Sequence, residues 1–230
     1  LTKRILITGA SSGIGREAAL ALAGKGHELL LLGRREDALA SLIDECREGT
    51  AVPFDLGDIE GIPGLVSSLR ADGRYPVLVN SAGIGGFGLA AELDWAVVEQ
   101  QIRINQLAPM RLTQAMLPWM LEAGGGQILN VLSIAATSVL AGCSAYGTSK
   151  AALLMFGKVV SAEYRRKGIK VTNLMPGATD TPIWDGSEGG PDRSQMIPSD
   201  VVGATIANVI ERPHTHNMDE LVLMPTFGIL

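Results

Sequence analysis

Cysteine is nearly absent from this chain of 230 residues, which carries only Cys46 and Cys143. Two thiols, one in a helical pattern and one in a loop pattern, make neither a disulfide framework nor a cysteine metal cluster, and so fit a reducing compartment. Aromatic residues reach only 4 % of the chain, so a ligand pocket is expected to be mostly aliphatic. There is no basic run and the net charge is -5, which argues against non-specific binding to nucleic acid or to anionic membranes. Long apolar runs are missing too. The opening LTKRILITGA breaks at a glycine turn, too soon for a signal-peptide core or a membrane span. These absences predict a soluble, cytoplasmic protein.

Apolar side chains supply what those absences leave. Hydrophobic residues make up 47 % of the chain and charged residues 19 %, enough for one large core in a single domain. Short apolar runs alternate with longer amphipathic stretches, the pattern of βαβ units around a parallel sheet. Strands are predicted at 4–8, 28–32, 51–54, 77–80, 127–133, 170–175 and 220–224. Helices are predicted around 14–24, 36–47, 58–72, 92–122, 144–167 and 199–211. Seven strands in this alternation predict an α/β fold with one doubly wound sheet. The segment PIWDGSEGGPDRSQMIP, 182–198, is rich in glycine, proline and charge yet contains Trp184 and Met196. Large apolar side chains in a polar loop need something to cover, so a flap over a site is expected there.

Tyr146 and Lys150 are four apart in a helical pattern, which puts phenol and ammonium on one face. A cation beside a phenol favours the phenolate and should lower the tyrosine pKa from about 10 toward neutrality, as a proton donor and acceptor at physiological pH requires. Ser133 closes the apolar run GGQILNVLS and is expected at a strand end beside the start of the tyrosine helix. The three together suggest carbonyl chemistry.

A nucleotide site is read from the strand ends. Gly9, Ser11, Ser12, Gly13, Ile14 and Gly15 lie between the first strand and the first helix. Glycines there let the backbone approach a pyrophosphate, and the helix start offers N–H donors and a positive dipole end. The second strand ends in Gly33 followed by Arg34 and Arg35, where an acidic residue would hold a free ribose hydroxyl. Two guanidiniums suit a 2′-phosphate instead and favour NADP, with Arg34 the stronger candidate because it is nearer the strand end. Asp55, beside Leu56 after the third strand, could accept from the adenine amino group or cap the next helix. Asn80, Ala82 and Gly83 end the fourth strand, where small residues permit close approach to the cofactor. Pro176 and Gly177 end the sixth, and Thr179 and Thr181 follow with hydroxyls for a carboxamide.

These pieces, in this order, resemble the short-chain dehydrogenase/reductases over essentially the whole chain. The resemblance implies a Rossmann fold of strand order 3-2-1-4-5-6-7, a nicotinamide cofactor and assembly as a homodimer or homotetramer. It also implies that Tyr146 protonates the carbonyl oxygen as hydride leaves the nicotinamide, that Ser133 hydrogen-bonds that oxygen, that Lys150 binds the ribose and lowers the tyrosine pKa, and that Asn105 holds a water. Ser81 departs from the family's usual second asparagine after Asn80. The tail weakly resembles bacterial carbonyl and sepiapterin-type reductases, with a 3-oxoacyl reductase as another member of the class. Phe87, Leu140 and Trp184 are expected around the substrate, a small-molecule carbonyl or alcohol.

Two readings from other classes compete with this one. A serine hydrolase using Ser133 lacks a neighbouring histidine base and a Gly-x-Ser-x-Gly turn, and the pair His214 and His216 lacks companion acids for a metal. A non-catalytic NADP(H)-binding sensor or scaffold stays open, although it would not need Asn105, Ser133, Tyr146 and Lys150 together.

Overall fold

The computed structural model describes residues 2–71, 73–185, 191–213 and 215–229. In chain order its regular elements are β1 (Lys3–Thr8), α1 (Gly13–Leu22), β2 (Glu28–Gly33), α2 (Glu36–Cys46), β3 (Thr50–Pro53), α3 (Ile62–Leu69), β4 (Tyr75–Asn80), α4 (Trp95–Ile102), α5 (Ala108–Glu122), β5 (Gly126–Val131), α6 (Ser144–Tyr164), β6 (Ile169–Pro176), β7 (Thr179–Asp180), β8 (Ile197–Pro198), α7 (Ser199–Ile210) and β9 (Glu220–Leu223). Seven strands form one parallel sheet in the order β3-β2-β1-β4-β5-β6-β9. This is the expected order, with β9 as the seventh strand because the short β7–β8 pair intervenes.

The strands read as near-continuous apolar runs because both faces of the sheet are covered. Ile5, Ile7, Leu29, Leu31, Val77 and Val79 join one core with Ala18 and Leu22 of α1 and Val202 and Ile206 of α7. The alternate positions Leu6, Leu30, Leu32, Leu78 and Ile128 join a second core with Leu112 and Met116 of α5. This alternation follows from side chains pointing to opposite faces along a strand. Because all seven strands are parallel, their C-terminal ends share one edge, and ligands of such sheets bind there.

Three boundaries differ from the sequence pattern for physical reasons. The amphipathic stretch 92–122 is not one helix. It starts at Trp95, capped by the Asp94 side chain, and a π-helical turn, Arg103–Leu107, divides α4 from α5. The predicted helix 58–72 begins only at Ile62, because Asp58 accepts from the Gly61 N–H in a turn before it. The strand expected to reach Ser133 ends at Val131, and Ser133 instead caps a 3-10 turn, Ile134–Ala136, its hydroxyl accepting from the Ala135 N–H at 3.1 Å.

Candidate functional site

The C-terminal edge of the sheet holds a cleft of about 550 Å³. Its floor is the turn between β1 and α1. Gly9 has φ +67, and a Cβ there would stand 2.8 Å from the Ala82 Cα, so only glycine lets this turn meet the end of β4. A Cβ on Gly15 would meet the Gly9 carbonyl oxygen at 2.6 Å. The Thr8 hydroxyl accepts from the N–H groups of Ser81 and Ala82, both at 3.0 Å, and ties the two strand ends together. Ser12 precedes α1 without a side-chain capping bond, and the first turn of α1 carries no acid. The positive end of α1 is therefore left for a ligand anion.

Gly9, Ser11, Ser12, Gly13, Ile14, Gly15, Arg34, Arg35, Asp55, Leu56, Ala82, Gly83, Tyr146, Lys150 and Thr181 all line this one cleft. Arg35 folds back onto the glycine turn, donating to the Ser11 carbonyl oxygen at 3.0 Å and to its hydroxyl at 3.2 Å. Arg34 is exposed at the rim. Asp55 accepts from the Gly57 N–H at 2.9 Å, which holds its carboxylate at the cleft edge, while Leu56 is buried. Gly13 lies under Thr181, whose methyl carbon would be 3.2 Å from a Cβ there, so the segment after β6 crosses the start of α1.

Four residues expected at the cofactor do not line the cleft. Asn80 is buried and donates to the Asn130 side chain at 2.9 Å, and Asn130 donates to Asn173 at 3.0 Å, giving an asparagine ladder across β4, β5 and β6. Its side chain therefore serves the sheet rather than the cleft. Gly177 is needed for packing, since a Cβ there would stand 2.6 Å from the Pro225 ring, and Pro176 belongs to the buried end of β6. The Thr179 hydroxyl turns back to the Gly177 carbonyl oxygen at 3.0 Å.

Lys150 is buried on α6 and its Nζ donates to the Val131 carbonyl oxygen at 3.0 Å. Burial pushes its pKa down to about 8. Lys150 Nζ lies 5.8 Å from the centre of the half-buried Tyr146 ring. Burial pushes the Tyr146 pKa up to about 12, against a smaller downward pull from the Ser133 hydroxyl. The expected lowering toward neutrality is thus not present here, because desolvation of the phenolate outweighs its neighbours. Asn105 sits in the π-helical turn, fully buried. It clamps Ile84, accepting from its N–H at 2.9 Å and donating to its carbonyl oxygen at 3.0 Å, and also donates to the Ser149 hydroxyl at 3.2 Å.

Two of the side chains expected around the substrate, Phe87 and Trp184, pack together next to Tyr146. Phe87 meets the Tyr146 ring edge-on, with centroids 5.5 Å apart, and stacks on Trp184 at 5.1 Å and 14°. The Trp184 indole N–H donates to the Thr179 carbonyl oxygen at 3.0 Å, which fixes the ring. Met196 of the same segment is buried, while 186–190 of the expected flap lies outside the described residues, as does His214. Leu140 is half-buried in the segment between Ser133 and α6. It precedes the Gly142–Cys143 stretch, where the Gly142 carbonyl oxygen accepts from the Gly88 N–H at 2.9 Å and joins the Phe87 loop to the start of α6.

Sequence reasoning missed Gly85, Gly86 and Gln101. A Cβ on Gly85 would stand 2.9 Å from the Phe87 ring, and one on Gly86 would stand 2.4 Å from Val97, so both glycines let the Phe87 loop fold down on α4. Gln101 donates to the Gly86 carbonyl oxygen at 3.1 Å. The double glycine GIGGFG was the available signal.

A family model described as short chain dehydrogenase matches residues 3–190. An uncharacterized oxidoreductase of Staphylococcus saprophyticus is 31 % identical over 229 residues, covering 97 % of each chain. A short chain dehydrogenase of Pseudocercospora fijiensis is 35 % identical over 201 residues, covering 83 % of this chain and 62 % of its own. Among solved structures, an alcohol dehydrogenase from Thermococcus sibiricus complexed with 5-hydroxy-NADP superposes with a TM-score of 0.89 at 26 % identity, covering 99 % of this chain and 98 % of the other. An actinorhodin polyketide ketoreductase with NADPH gives a TM-score of 0.88 at 26 % identity, covering 99 % and 97 %.

Proposed function

The chain belongs to the short-chain dehydrogenase family, and we propose that it is an NADP(H)-dependent oxidoreductase that interconverts a carbonyl and a secondary alcohol. The observation that supports this most is the convergence of the glycine turn, Arg34 and Arg35 with Tyr146 and Lys150 on one cleft. The residues present suit a dinucleotide. Glycines at 9 and 15 let the turn pack against Ala82 and against its own backbone beside an uncapped helix start, with Arg35 folded onto the turn and Arg34 at the rim. NADP-complexed relatives of closely similar fold favour the same choice of cofactor.

When bound, the nicotinamide supplies or accepts the hydride at its C4 carbon. In this proposal the α1 N-terminus and the Ser11–Gly15 backbone hold the pyrophosphate, Arg34 and Arg35 hold a 2′-phosphate, and Asp55 with Leu56 borders the adenine. Lys150 binds the ribose hydroxyls. Thr181, at the Gly13 end of the cleft, is placed for the carboxamide, while Asn80, Pro176, Gly177 and Thr179 act by shaping the strand ends.

Tyr146, with its pKa near 12, is neutral at pH 7 and is therefore a proton donor before it is a base. Its proton goes to the carbonyl oxygen as hydride reaches the carbon, because the alkoxide that would otherwise form is a much stronger base than phenolate. Ser133 donates to the same oxygen and helps disperse its charge. The side-chain bonds of Asn105 are spent on Ile84 and Ser149, so a water linking Lys150 to solvent would be held by the main chain of the π-helical turn. Carbonyl reduction is the favoured direction.

A single domain with a flap at 182–198 and a cytoplasmic site of action are part of the proposal. Among the described residues no helix is long and apolar enough to cross a membrane. Met155 and Val159 leave an apolar strip exposed on α6, with Leu107 and Leu121 exposed beside α5, and a second copy of the chain is the proposed cover. Steady-state oxidation of NADPH and NADH against a panel of diketones, sugars and acyl thioesters tests the function. Turnover supports it, and tight NADPH binding with no turnover of any carbonyl would leave a nucleotide sensor instead.

A further inference from the structure

The aromatic residues are few, yet the Phe87 ring packs against both Trp184 and Tyr146, the residue that carries the proposed reacting hydroxyl. The arrangement is held from several sides. Trp184 is pinned through its indole N–H to Thr179, and Phe87 folds over Gly85 because that position has no side chain to obstruct it. Gln101 grips the Gly86 carbonyl oxygen one residue before Phe87. A Cβ on Gly85 would also reach Ile183 at 3.1 Å, so the ring pair adjoins Ile183 in the lining of the cofactor cleft. Stacked rings held in this way form a flat, rigid wall, and such walls favour flat, polarisable ligands over flexible aliphatic ones.

Charge around the same place is one-sided. The described segments carrying Phe87, Ser133 and Trp184, taken as 84–94, 133–145, 180–185 and 191–193, contain the acids Glu92, Asp94, Asp180, Asp185 and Asp192 and a single base, Arg193. Arg193 is already engaged, with ion pairs to Asp180 and Asp185 on either side of Trp184. These segments therefore offer a carboxylate, a phosphate or an acyl carrier's phosphopantetheine no uncommitted cation. An anionic substrate would find no free cation on these segments.

Resting on the reductase reading above, we infer that the substrate is a flat, uncharged carbonyl compound, an aryl or conjugated ketone, selected by the Phe87–Trp184 wall, and that anionic carbonyl substrates are rejected. Tyr146 and Ser133 then act on a carbonyl that is conjugated with, or one bond from, the ring lying against that wall.

The test compares kcat/KM for NADPH-dependent reduction of three compounds with equal carbon count: phenylpropanedione, the straight-chain nonanedione and phenylpyruvate. Phenylpropanedione should exceed both others. The Trp184→Leu and Phe87→Leu variants should each lower its advantage over nonanedione by roughly five- to tenfold, with the KM for NADPH unchanged. Trp184→Phe, which keeps a ring, should retain most of the advantage and guards against a folding defect in the leucine variants. Equal or better turnover of nonanedione or phenylpyruvate by the unmutated protein overturns this inference and leaves the reductase reading standing. An advantage unchanged in both leucine variants overturns the role of the wall. Bound NADPH with no turnover of any of the three overturns this inference, and the reductase reading falls only if the wider panel of diketones, sugars and acyl thioesters is not turned over either.

Discussion

Lys150 Nζ lies 5.8 Å from the centre of the Tyr146 ring and donates to the Val131 carbonyl oxygen at 3.0 Å. The pair forms because the two residues are one turn apart on α6, and Val131 is where β5 ends beneath them. Lys150 is held out of water and the Tyr146 ring is half-buried. The lysine is thereby made easier to deprotonate and the tyrosine harder.

The first prediction concerns that burial. Lys150 titrates near 8 in the folded chain and at an ordinary 10.5 when unfolded, so between those values the unfolded chain binds one more proton. Its contribution to stability is therefore least favourable below pH 8 and improves as pH rises toward 10. Chemical denaturation of the cofactor-free protein at pH 7 and pH 9.5 should show a larger gain for the wild type than for Lys150→Met. An identical pH slope in both would contradict the buried ammonium.

Gly9→Ala should cost about 1–3 kcal/mol of stability, through the positive φ and the contact with Ala82, and should raise the KM for NADPH. Thermal melting and initial rates measure the two effects. Gly24→Ala is the control for φ alone, since φ there is +73 with open space around the site.

Arg34→Ala should lower kcat/KM for NADPH relative to NADH by about tenfold, the worth of one charge-assisted contact to a phosphate. Arg35→Ala should weaken binding of both cofactors, because Arg35 also braces the Ser11 carbonyl oxygen. A wild-type preference for NADH would remove the basis for both effects.

Met155→Glu combined with Val159→Glu should convert the protein to a smaller species by light scattering while leaving its fold intact, since both side chains are exposed on α6 in the single chain. An unchanged mass would place the contact between copies elsewhere.

The parallel sheet was readable because each strand is a short apolar run between turn signals, and the glycine turn because Gly9 and Gly15 answer to steric limits that spacing alone reveals. The break at Arg103–Leu107 was not readable. RINQLAP keeps the helical apolar period, and the π-helical turn that buries Asn105 depends on its bonds to Ile84 and Ser149, residues distant in sequence. Asn80 lay at a strand end in sequence, but which way its side chain turned depended on Asn130 and Asn173 in neighbouring strands. The Tyr146 pKa was misjudged for a related reason. Spacing shows that a lysine is near, but not how much water both groups lose. Phe87 and Trp184 were named for the substrate side from their places in the sequence, and they do stack beside Tyr146.

In the proposed function Tyr146 transfers the proton of a hydride-transfer reaction. Tyr146→Phe removes only the hydroxyl and keeps the ring that packs against Phe87. With NADPH binding followed by its fluorescence and turnover by its absorbance, the variant should bind NADPH as the wild type does and lose at least about a hundredfold in kcat. Full turnover by Tyr146→Phe on a carbonyl that the wild type reduces would contradict the account.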